Sequence, residues 1–505
     1  MALRGTKKSQ KSDSESYLNT KDDDPIRLSR QVTLLDSISL IVGGVIGSGI
    51  FISPTSVLAN SGGIGWALLI WVFCGILSIL GALTYAELGT TFSVSGGDFS
   101  YLLEACGPIP AFLRLWSSIV ALRTAPVVVL SLTFASNLLL PLYVDCSNPE
   151  VTTRLTAALM MGVIFILNST SVPGSRFVNA FMTVAKLAAL LVIIIAGIVQ
   201  LAQGNVANFT GAFDTSDFSF RTFPLAVYSG LFAYSGWQYL PQVTEEIINP
   251  SRTIPLAVII SMTIVTVVYL LTNVAYFTVL SADQVLSSSS VALDFGRIVL
   301  GDWYWILGIG VALSCLGSSN GTVFSFSRVL LVASREGMMP SIASMIHVDR
   351  KTPLPAAAVM APVCLVMLIG GNVNALINYL SVTRWLVIGA TCAIVPYYRW
   401  KYPDLERPFK VPLVIPVVFF LCCMFIVAMS LYSSPVDCGI GLGIFFGGIP
   451  VYYIFVWWEN KPIWFNQGMD HLTVFLQQLL CVVPPEDIQN KSEILEEPGR
   501  VEESE

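Results

Sequence analysis

Charged residues are scarce in this chain. Only 12% of its 505 residues are Asp, Glu, Lys or Arg, whereas 54% are hydrophobic. Soluble globular proteins carry about 25% charged residues. The composition therefore excludes an ordinary soluble domain and predicts an all-α protein that crosses the membrane many times.

The residues on which most enzymes rely are also few. Only two histidines occur, His347 and His471, and neither belongs to a cluster of metal-ligating residues. The sequence contains no H-E-x-x-H or Ser/His/Asp pattern and no G-x-x-x-x-G-K loop of an ATP-driven pump. We therefore expect no enzymatic activity, no cofactor and no metal. The net charge of −6 comes partly from acidic tails and does not indicate a nucleic-acid partner.

Apolar runs of about 20 residues, the length that crosses a bilayer as a helix, predict roughly twelve spans. Their centres lie near residues 46, 78, 126, 161, 190, 235, 268, 316, 362, 386, 422 and 448. No cleavable signal sequence is visible in the polar first 35 residues, so we expect span 1 to act as the signal. Lys and Arg cluster before span 1 and after spans 8 and 10, which predicts cytoplasmic termini.

Two of the predicted spans are interrupted by glycine at their centres. Segment 39–51 contains four glycines and segment 227–237 contains two, although glycine costs about 1 kcal/mol in a helix interior. Such interruptions at corresponding places in two halves indicate the binding site of a secondary transporter. A half-helix that begins inside the membrane presents unpaired N–H groups, which favour a carboxylate ligand. The alternative is that these glycines only let helices pack closely.

Three basic residues are predicted inside spans 3, 5 and 10, namely Arg123, Lys186 and Arg384. Each costs about 2.5–3.5 kcal/mol at the centre of a span, so each is a candidate functional residue. The alternative is that they reach the membrane surface or pair with buried acids. The nearest acids are at the inner ends of spans 2 and 6: Glu87, Glu245 and Glu246. If these acids are not their partners, an anionic substrate can supply the missing charge.

Of the ten cysteines, only Cys146 and Cys438 fall in predicted outer loops, where disulfides form. They could bond each other, or one of them could bond a partner chain. Asn208 begins an Asn-Phe-Thr sequon in another predicted outer loop and is a candidate glycosylation site.

Seven motifs in chain order carry a resemblance to a known family. They are 46–51 (IGSGIF), 85–89 (YAELG), 95–97 (SGG), 233–237 (AYSGW), 244–246 (TEE), 334–337 (SREG) and 406–412 (ERPFKVP). On these motifs the chain resembles the light subunits of the heterodimeric (L-type) amino acid transporters, within the amino acid–polyamine–organocation superfamily. The resemblance covers about residues 32–485, which is nearly everything except the tails.

Further stretches resemble the members of this family that exchange cystine for glutamate. These stretches are 344–348 (SMIHV), 384–386 (RWL), 429–433 (MSLYS) and 482–486 (VVPPE). Ser235 stands where members that carry cationic amino acids have aspartate, which argues against cationic substrates. Gln238 replaces the residue usual at that position, often Asn, so side-chain selectivity could differ.

The resemblance implies an inverted five-helix repeat with unwound spans 1 and 6. The repeats cover about 32–202 and 223–398, and two extra spans follow at about 411–458, within a transporter domain of 32–460. The tails, 1–31 (disordered) and 461–505, are then cytoplasmic, and the protein is a multi-pass protein of the plasma membrane in contact with lipid. The resemblance also implies a disulfide from Cys146 to a single-span heavy-chain glycoprotein.

The substrate-binding residues implied by the resemblance are Gly47, Ser48, Gly49, Ile50, Phe232, Ala233, Ser235, Gly236, Arg123 and Arg384. Backbone N–H groups of Gly47, Ser48 and Gly49 meet the α-carboxylate of an amino acid, and carbonyls near Phe232, Ala233 and Ser235 meet its α-amino group. Phe232 also closes over the substrate as an outer gate.

The basic residues have separate implied roles. Arg384, supported by Arg123, attracts the distal carboxylate of the substrate. Lys186 resembles the span-5 lysine of sodium-independent members, where its charge replaces a bound cation and joins spans 1, 5 and 8. A purely structural lysine fits Lys186 equally well.

We therefore expect a sodium-independent amino acid exchanger that imports anionic cystine in return for glutamate by alternating access. Obligatory exchange comes from the resemblance alone. The alternative is a neutral amino acid exchanger on the same fold, in which Arg384 faces an acid of the protein. A channel or receptor is a more distant alternative, and twelve spans argue against a seven-span receptor.

Overall fold

The computed structural model describes residues 30–140, 143, 149–214, 222–288, 290–370, 373–458 and 461–484, apart from the side chains of 121 and 373–381. Its α-helices are α1 (Leu34–Val45), α2 (Gly49–Ser61), α3 (Ile64–Phe92), α4 (Asp98–Cys106), α5 (Pro108–Ser117), α6 (Thr124–Leu139), α7 (Glu150–Thr170), α8 (Val172–Ala202), α9 (Phe223–Ala233), α10 (Pro250–Val279), α11 (Ala282–Ser287), α12 (Val291–Val299), α13 (Trp305–Arg335), α14 (Leu354–Gly370), α15 (Val373–Lys401), α16 (Val414–Ser433), α17 (Pro435–Phe446), α18 (Gly448–Tyr452) and α19 (Ile463–Leu480).

Shorter elements complete the described chain. The π-helical turns are Ser118–Leu122 and Tyr453–Trp457, the 3₁₀ helices are Ala207–Phe209, Trp237–Glu246, Gly301–Trp303 and Ser341–Ser344, and the strands are β1 (Ile346–His347) and β2 (Val482–Val483). The tail before residue 30 and the acidic C-terminal residues lie outside the described residues, so the predictions about them stay predictions.

The protein is an all-α membrane protein. In the described residues, eight helical stretches are long and apolar enough to cross a bilayer, and α1 with α2 makes a ninth that is bent by 44°. Predicted spans 6, 9 and 10 correspond to α9 with the 3₁₀ helix after it, to α14 and to α15. Helical segments thus lie at, or on both sides of, each of the twelve predicted centres.

Helix α1 begins with a complete capping box. The Thr33 hydroxyl accepts a hydrogen bond from the Asp36 N–H, and the Asp36 carboxylate accepts one from the Thr33 N–H. These two bonds satisfy N–H groups that the first turn of a helix leaves unpaired. The start of span 1 is therefore determined locally, three turns before its break.

Helices at corresponding positions of the two predicted repeats contact each other. Helix α3 (span 2) packs on α10 (span 7), α6 (span 3) on α13 (span 8), and α7 (span 4) on α14 (span 9). Elements close to a two-fold axis would meet their own counterparts in this way. The bounds of the two repeats stay a prediction. The two broken spans also contact each other, α2 with α9 and α1 with the 3₁₀ helix Trp237–Glu246.

The segment after span 12 has ordered structure that the sequence analysis did not predict. Helix α19 is followed by β2, which pairs antiparallel with β1 in the loop between spans 8 and 9. The Val348 N–H also donates to the Cys481 carbonyl at 3.2 Å. The described part of the C-terminal region is therefore tied to the transporter domain.

Candidate functional site

The two glycine-interrupted spans are broken where the sequence predicts. Helix α1 ends at Val45 and α2 begins at Gly49, while α9 ends at Ala233 and the next helix begins at Trp237. The chain between these ends is not helical, so each break leaves backbone groups without intrahelical partners. Both breaks face one another in the centre of the bundle.

Two glycines allow the broken spans to approach each other closely. A Cβ atom on Gly236 would lie 2.6 Å from the carbonyl carbon of Gly44, and one on Gly49 would lie 2.6 Å from Cα of Ala233. Gly236 also has φ = 132°, a conformation that L side chains rarely adopt. Close packing, the alternative explanation for these glycines, is therefore one of their roles.

The first turn of α2 offers free N–H groups. In the described residues no backbone carbonyl accepts from the N–H groups of Ser48, Gly49 or Ile50, whereas the Gly47 N–H donates to the Val45 carbonyl at 2.9 Å. Free N–H groups at a helix N-terminus favour a carboxylate. The set of open donors thus begins one residue later than the predicted set and includes Ile50.

The break in span 6 offers open carbonyl groups, and one of them, that of Ser235, is among the predicted acceptors. The Phe232 carbonyl accepts from the N–H of Ser235 at 3.1 Å and from its hydroxyl. Within the described residues, the carbonyls of Tyr234 and Ser235 accept no backbone N–H. An ammonium group would find its open acceptors there.

Tyr269 in α10 joins the two breaks. Its hydroxyl lies 2.9 Å from the Val45 carbonyl and 3.1 Å from the Ala233 carbonyl, the last residues of α1 and α9. A hydroxyl has one proton, so it donates to one of these carbonyls at a time. The sequence analysis missed this residue, whose only signal is a tyrosine within the apolar run of span 7.

Lys186 in α8 is fully buried against the break in span 1. Its ammonium lies within hydrogen-bond distance of the carbonyls of Gly43 (2.8 Å), Ile46 (2.6 Å) and Ser314 (3.2 Å), and of the Ser318 hydroxyl (3.1 Å), so its three N–H groups are shared among four acceptors. These acceptors belong to spans 1 and 8. Lys186 therefore joins its own span 5 to spans 1 and 8, the three spans that the sequence analysis named. Oxygen atoms around a point charge are also what a bound cation would require.

A cavity lies between the broken spans and spans 3, 8 and 10. Eight of the predicted substrate-binding residues line it: Gly47, Ser48, Gly49, Phe232, Ala233, Ser235, Arg123 and Arg384. Ile50 and Gly236 are buried beside it without lining it. Arg114 and Tyr239 also line it and were not predicted, because nothing in their local sequence distinguishes them from packing residues.

Two guanidinium groups in this cavity have no acidic partner. Arg123 follows the π-helical turn of span 3, and its Cζ lies 5.0 Å from the ring centroid of Tyr239, a cation–π distance. The Tyr239 hydroxyl is held 2.9 Å from the Thr322 hydroxyl. In the described residues, neither Arg123 nor Arg384 has a carboxylate within ion-pair distance or an acceptor for its guanidinium.

The acids that could have compensated these charges are paired with other arginines. The pairs are Glu87 with Arg399, Glu245 with Arg335 (3.1 Å), Glu246 with Arg328 (2.6 Å) and Asp98 with Arg114 (2.7 Å). The cavity therefore presents an excess of positive charge to whatever enters it. A ligand carboxylate is the group that this charge favours.

The predictions for the two cysteines assigned to outer loops, Cys146 and Cys438, have different outcomes. Cys438 is buried in the first turn of α17, and its thiol donates to the Ser430 carbonyl at 3.3 Å, so its predicted loop position is wrong. Cys146 lies outside the described residues. The side-chain amide of Asn208 donates to the Phe277 carbonyl at 3.2 Å, and its glycosylation stays a prediction.

The fold and the cavity together define a class, that of multi-pass membrane transporters with a substrate site between two broken helices. Comparison with known proteins is more specific. Residues 32–456 match the amino acid permease family model, and the chain belongs to that family.

Several curated proteins are similar over nearly the whole chain. The chain is 50% identical over 462 residues to the Homo sapiens cystine/glutamate transporter, covering 92% of each chain. It is 41% identical over 467 residues to the Mus musculus large neutral amino acids transporter small subunit 2, covering 92% of this chain and 88% of that one. It is also 41% identical over 474 residues to the Homo sapiens b(0,+)-type amino acid transporter 1, covering 94% and 97%. These relatives carry the names of transporters rather than enzymes.

Proposed function

We propose that this chain is a sodium-independent exchanger that imports the anionic form of cystine in return for glutamate by alternating access. The observation that carries the proposal is the pair of cavity guanidiniums, Arg123 and Arg384, without acidic partners in the described residues. Cystine and glutamate have a carboxylate beyond the α-amino acid group, which large neutral amino acids lack. The similarity to a cystine/glutamate transporter supports the same substrate class.

In the proposed binding mode, each part of the substrate meets a group of opposite polarity. The α-carboxylate binds the free N–H groups at the start of α2, and the α-amino group binds the carbonyls after α9. The distal carboxylate lies between Arg384 and Arg123. Phe232 closes over the substrate as the outer gate. Its position in the lining of the cavity supports this role.

Lys186 takes the place of a transported cation in this proposal. Its ammonium group already bonds to backbone carbonyls of spans 1 and 8. Closing the bundle around the substrate therefore needs no sodium ion. The dependence of transport on sodium tests this role separately from the identity of the substrate.

The proposed assembly pairs this light chain with a single-span heavy-chain glycoprotein in the plasma membrane, through a disulfide at Cys146, with both termini cytoplasmic. On a non-reducing gel, Cys146→Ser should abolish a high-mass band that Cys438→Ser leaves intact. If only Cys438→Ser abolishes the band, the assignment to Cys146 is wrong.

The substrate is tested by uptake in sodium-free medium after co-expression with a heavy chain. Labelled cystine, glutamate and leucine are compared, with and without unlabelled amino acid inside the cells. The proposal expects cystine and glutamate uptake that internal amino acid stimulates and that Arg384→Ala abolishes. The matched control is Arg297→Ala, which removes a half-exposed arginine away from the cavity. Leucine uptake alone, untouched by Arg384→Ala, would assign the chain to the neutral exchangers instead.

A further inference from the structure

Asp98 is a buried carboxylate that has one oxygen without a hydrogen-bond partner. Arg114 donates to its Oδ2 from both Nε (3.0 Å) and Nη2 (2.7 Å), and its Nη1 donates to the Ser118 hydroxyl (2.9 Å). Oδ1 of Asp98 is buried and accepts no hydrogen bond from the described residues. Because an unpaired buried acceptor is unfavourable, the ion pair has room for one more donor.

Arg123, whose guanidinium has no acceptor among the described residues, lines a cavity that Asp98 also lines. This second, small cavity is lined by Asp98 and Arg123, and by Gln242, whose Oε1 also has no hydrogen-bond partner among the described residues. Arg114 and Arg123 line both this cavity and the substrate cavity. Arg123 therefore lies between the space where a substrate carboxylate would bind and a carboxylate of the protein that has a vacant oxygen.

The backbone just before Arg123 departs from a regular α-helix. Arg123 directly follows the π-helical turn Ser118–Leu122, and its N–H donates to the Ser118 carbonyl at 3.1 Å. Such wide turns interrupt helices mainly at functional sites. Asp98 is the first residue of α4, the helix after span 2, so a bond between Asp98 and Arg123 would fasten α4 to the centre of span 3.

We infer that Oδ1 of Asp98 is the alternative anion for Arg123 while the empty carrier changes between its outward-facing and inward-facing states. This inference rests on the proposed function, because it needs a substrate with a distal carboxylate. A bound substrate takes Arg123 away from Asp98. When the empty carrier begins to return, Arg123 turns to Oδ1 while Arg114 keeps Oδ2, since one carboxylate can accept from two guanidiniums. Arg114 already ties α4 to the start of span 3. The second bond ties α4 to the centre of that span as well, and the empty carrier returns slowly. Asp98 thereby makes the exchange obligatory.

The test compares exchange with the return of the empty carrier. Cells loaded with labelled glutamate are placed in sodium-free medium, and efflux is measured with and without cystine outside. In Asp98→Asn we expect efflux without cystine to rise about tenfold or more, the effect of losing one charge-assisted hydrogen bond. Efflux with cystine should change less. Asp98→Glu should restore the slow empty return. An unchanged ratio of the two effluxes in Asp98→Asn would overturn the inference.

Two further variants separate this role from simple loss of an ion pair. Asp98→Asn leaves Arg114 buried without its partner, which can prevent folding. The double variant Asp98→Asn with Arg114→Met removes the pair together and should show the same rise. Glu246→Gln is the matched control, because Arg328 occupies both oxygens of that buried carboxylate. An equal rise in Glu246→Gln would refute the inference. A wild-type protein that transports neither cystine nor glutamate would refute the proposed function instead.

Discussion

Arg399 donates from Nε to Oε1 of Glu87 at 3.0 Å, and its Nη2 bonds the other oxygen of that carboxylate. The Val411 N–H also donates to Glu87, at 2.9 Å. Glu87 is the acid that the sequence puts nearest to the bilayer, and its oxygens are all engaged at the junction of spans 2, 10 and 11. It is therefore not available to Arg123 or Arg384, and this is why the cavity stays positive.

Glu87→Gln should destabilise the protein more than it alters substrate choice. Removing one partner of a buried pair costs about 3–5 kcal/mol, because the other charge stays buried alone. We expect a lower melting temperature of the detergent-solubilised protein and less of it at the cell surface. Glu150→Gln is the control, since its pair with Arg154 is exposed and such pairs contribute about 0–1 kcal/mol. Equal melting temperatures for the two variants would contradict this account.

Lys186→Met should lower transport by about tenfold or more, equivalent to at least 1.4 kcal/mol, because four oxygen atoms lose their donor. The measurement is the initial rate of sodium-free uptake, corrected for the amount of protein at the surface. Lys410→Met removes an exposed lysine and should leave the rate unchanged. Full activity of Lys186→Met would mean that transport does not depend on the hydrogen bonds of Lys186.

Tyr269→Phe should slow transport, because it removes the hydroxyl that reaches the carbonyls at the ends of α1 and α9. The expected loss of stability is about 0.5–1.5 kcal/mol, the net contribution of one hydrogen bond. Tyr276→Phe, in the same helix, removes a buried hydroxyl that has no hydrogen-bond partner in the part of the chain that the structure describes, and it should be neutral or slightly stabilising. The uptake kinetics and the melting temperatures of Tyr269→Phe and Tyr276→Phe are measured and compared. If Tyr276→Phe impairs transport as strongly, the position of the hydroxyl is irrelevant.

Gly236→Ala should abolish transport through two separate effects. The new Cβ would overlap the backbone of Gly44, and φ = 132° is strained for any residue with a side chain. Gly439→Ala adds a Cβ with no atom within 4 Å and should be tolerated. Surface labelling followed by uptake distinguishes a folded, inactive variant from one that fails to fold. Normal uptake by Gly236→Ala would show that spans 1 and 6 can separate at this point.

Much of the fold could be predicted because its signals are local. The hydrophobic length of each span and the glycines at 43–49 and 230–236 are properties of short segments, and the helices and breaks occur at those places. The C-terminal helix α19 was missed because its apolar residues are mixed with polar ones and its run is too short for a span. The position of Cys438 was wrong because the boundary of a helix depends on packing beyond its own segment.

Part of the candidate site could also be predicted, because some of its residues give a signal within their own segment. Arg384 and Arg123 are conspicuous in sequence because charge in an apolar run is costly. Tyr269, Tyr239 and the Asp98–Arg114 pair are not conspicuous, since their roles arise from contacts between helices far apart in the chain.

The sequence by itself determined that this protein is a helical membrane protein with two broken spans and three costly basic residues. Hydrophobicity and glycine content suffice for that, because both act within one segment. Only the tertiary structure decided which charge has a partner. Glu87, Glu245 and Glu246 could each have neutralised a cavity arginine, and which arginine reaches each acid depends on how distant helices pack. That packing leaves Arg123 and Arg384 open to the cavity, because a hydrogen-bonded ion pair forms only between groups in contact in space, whatever their separation along the chain.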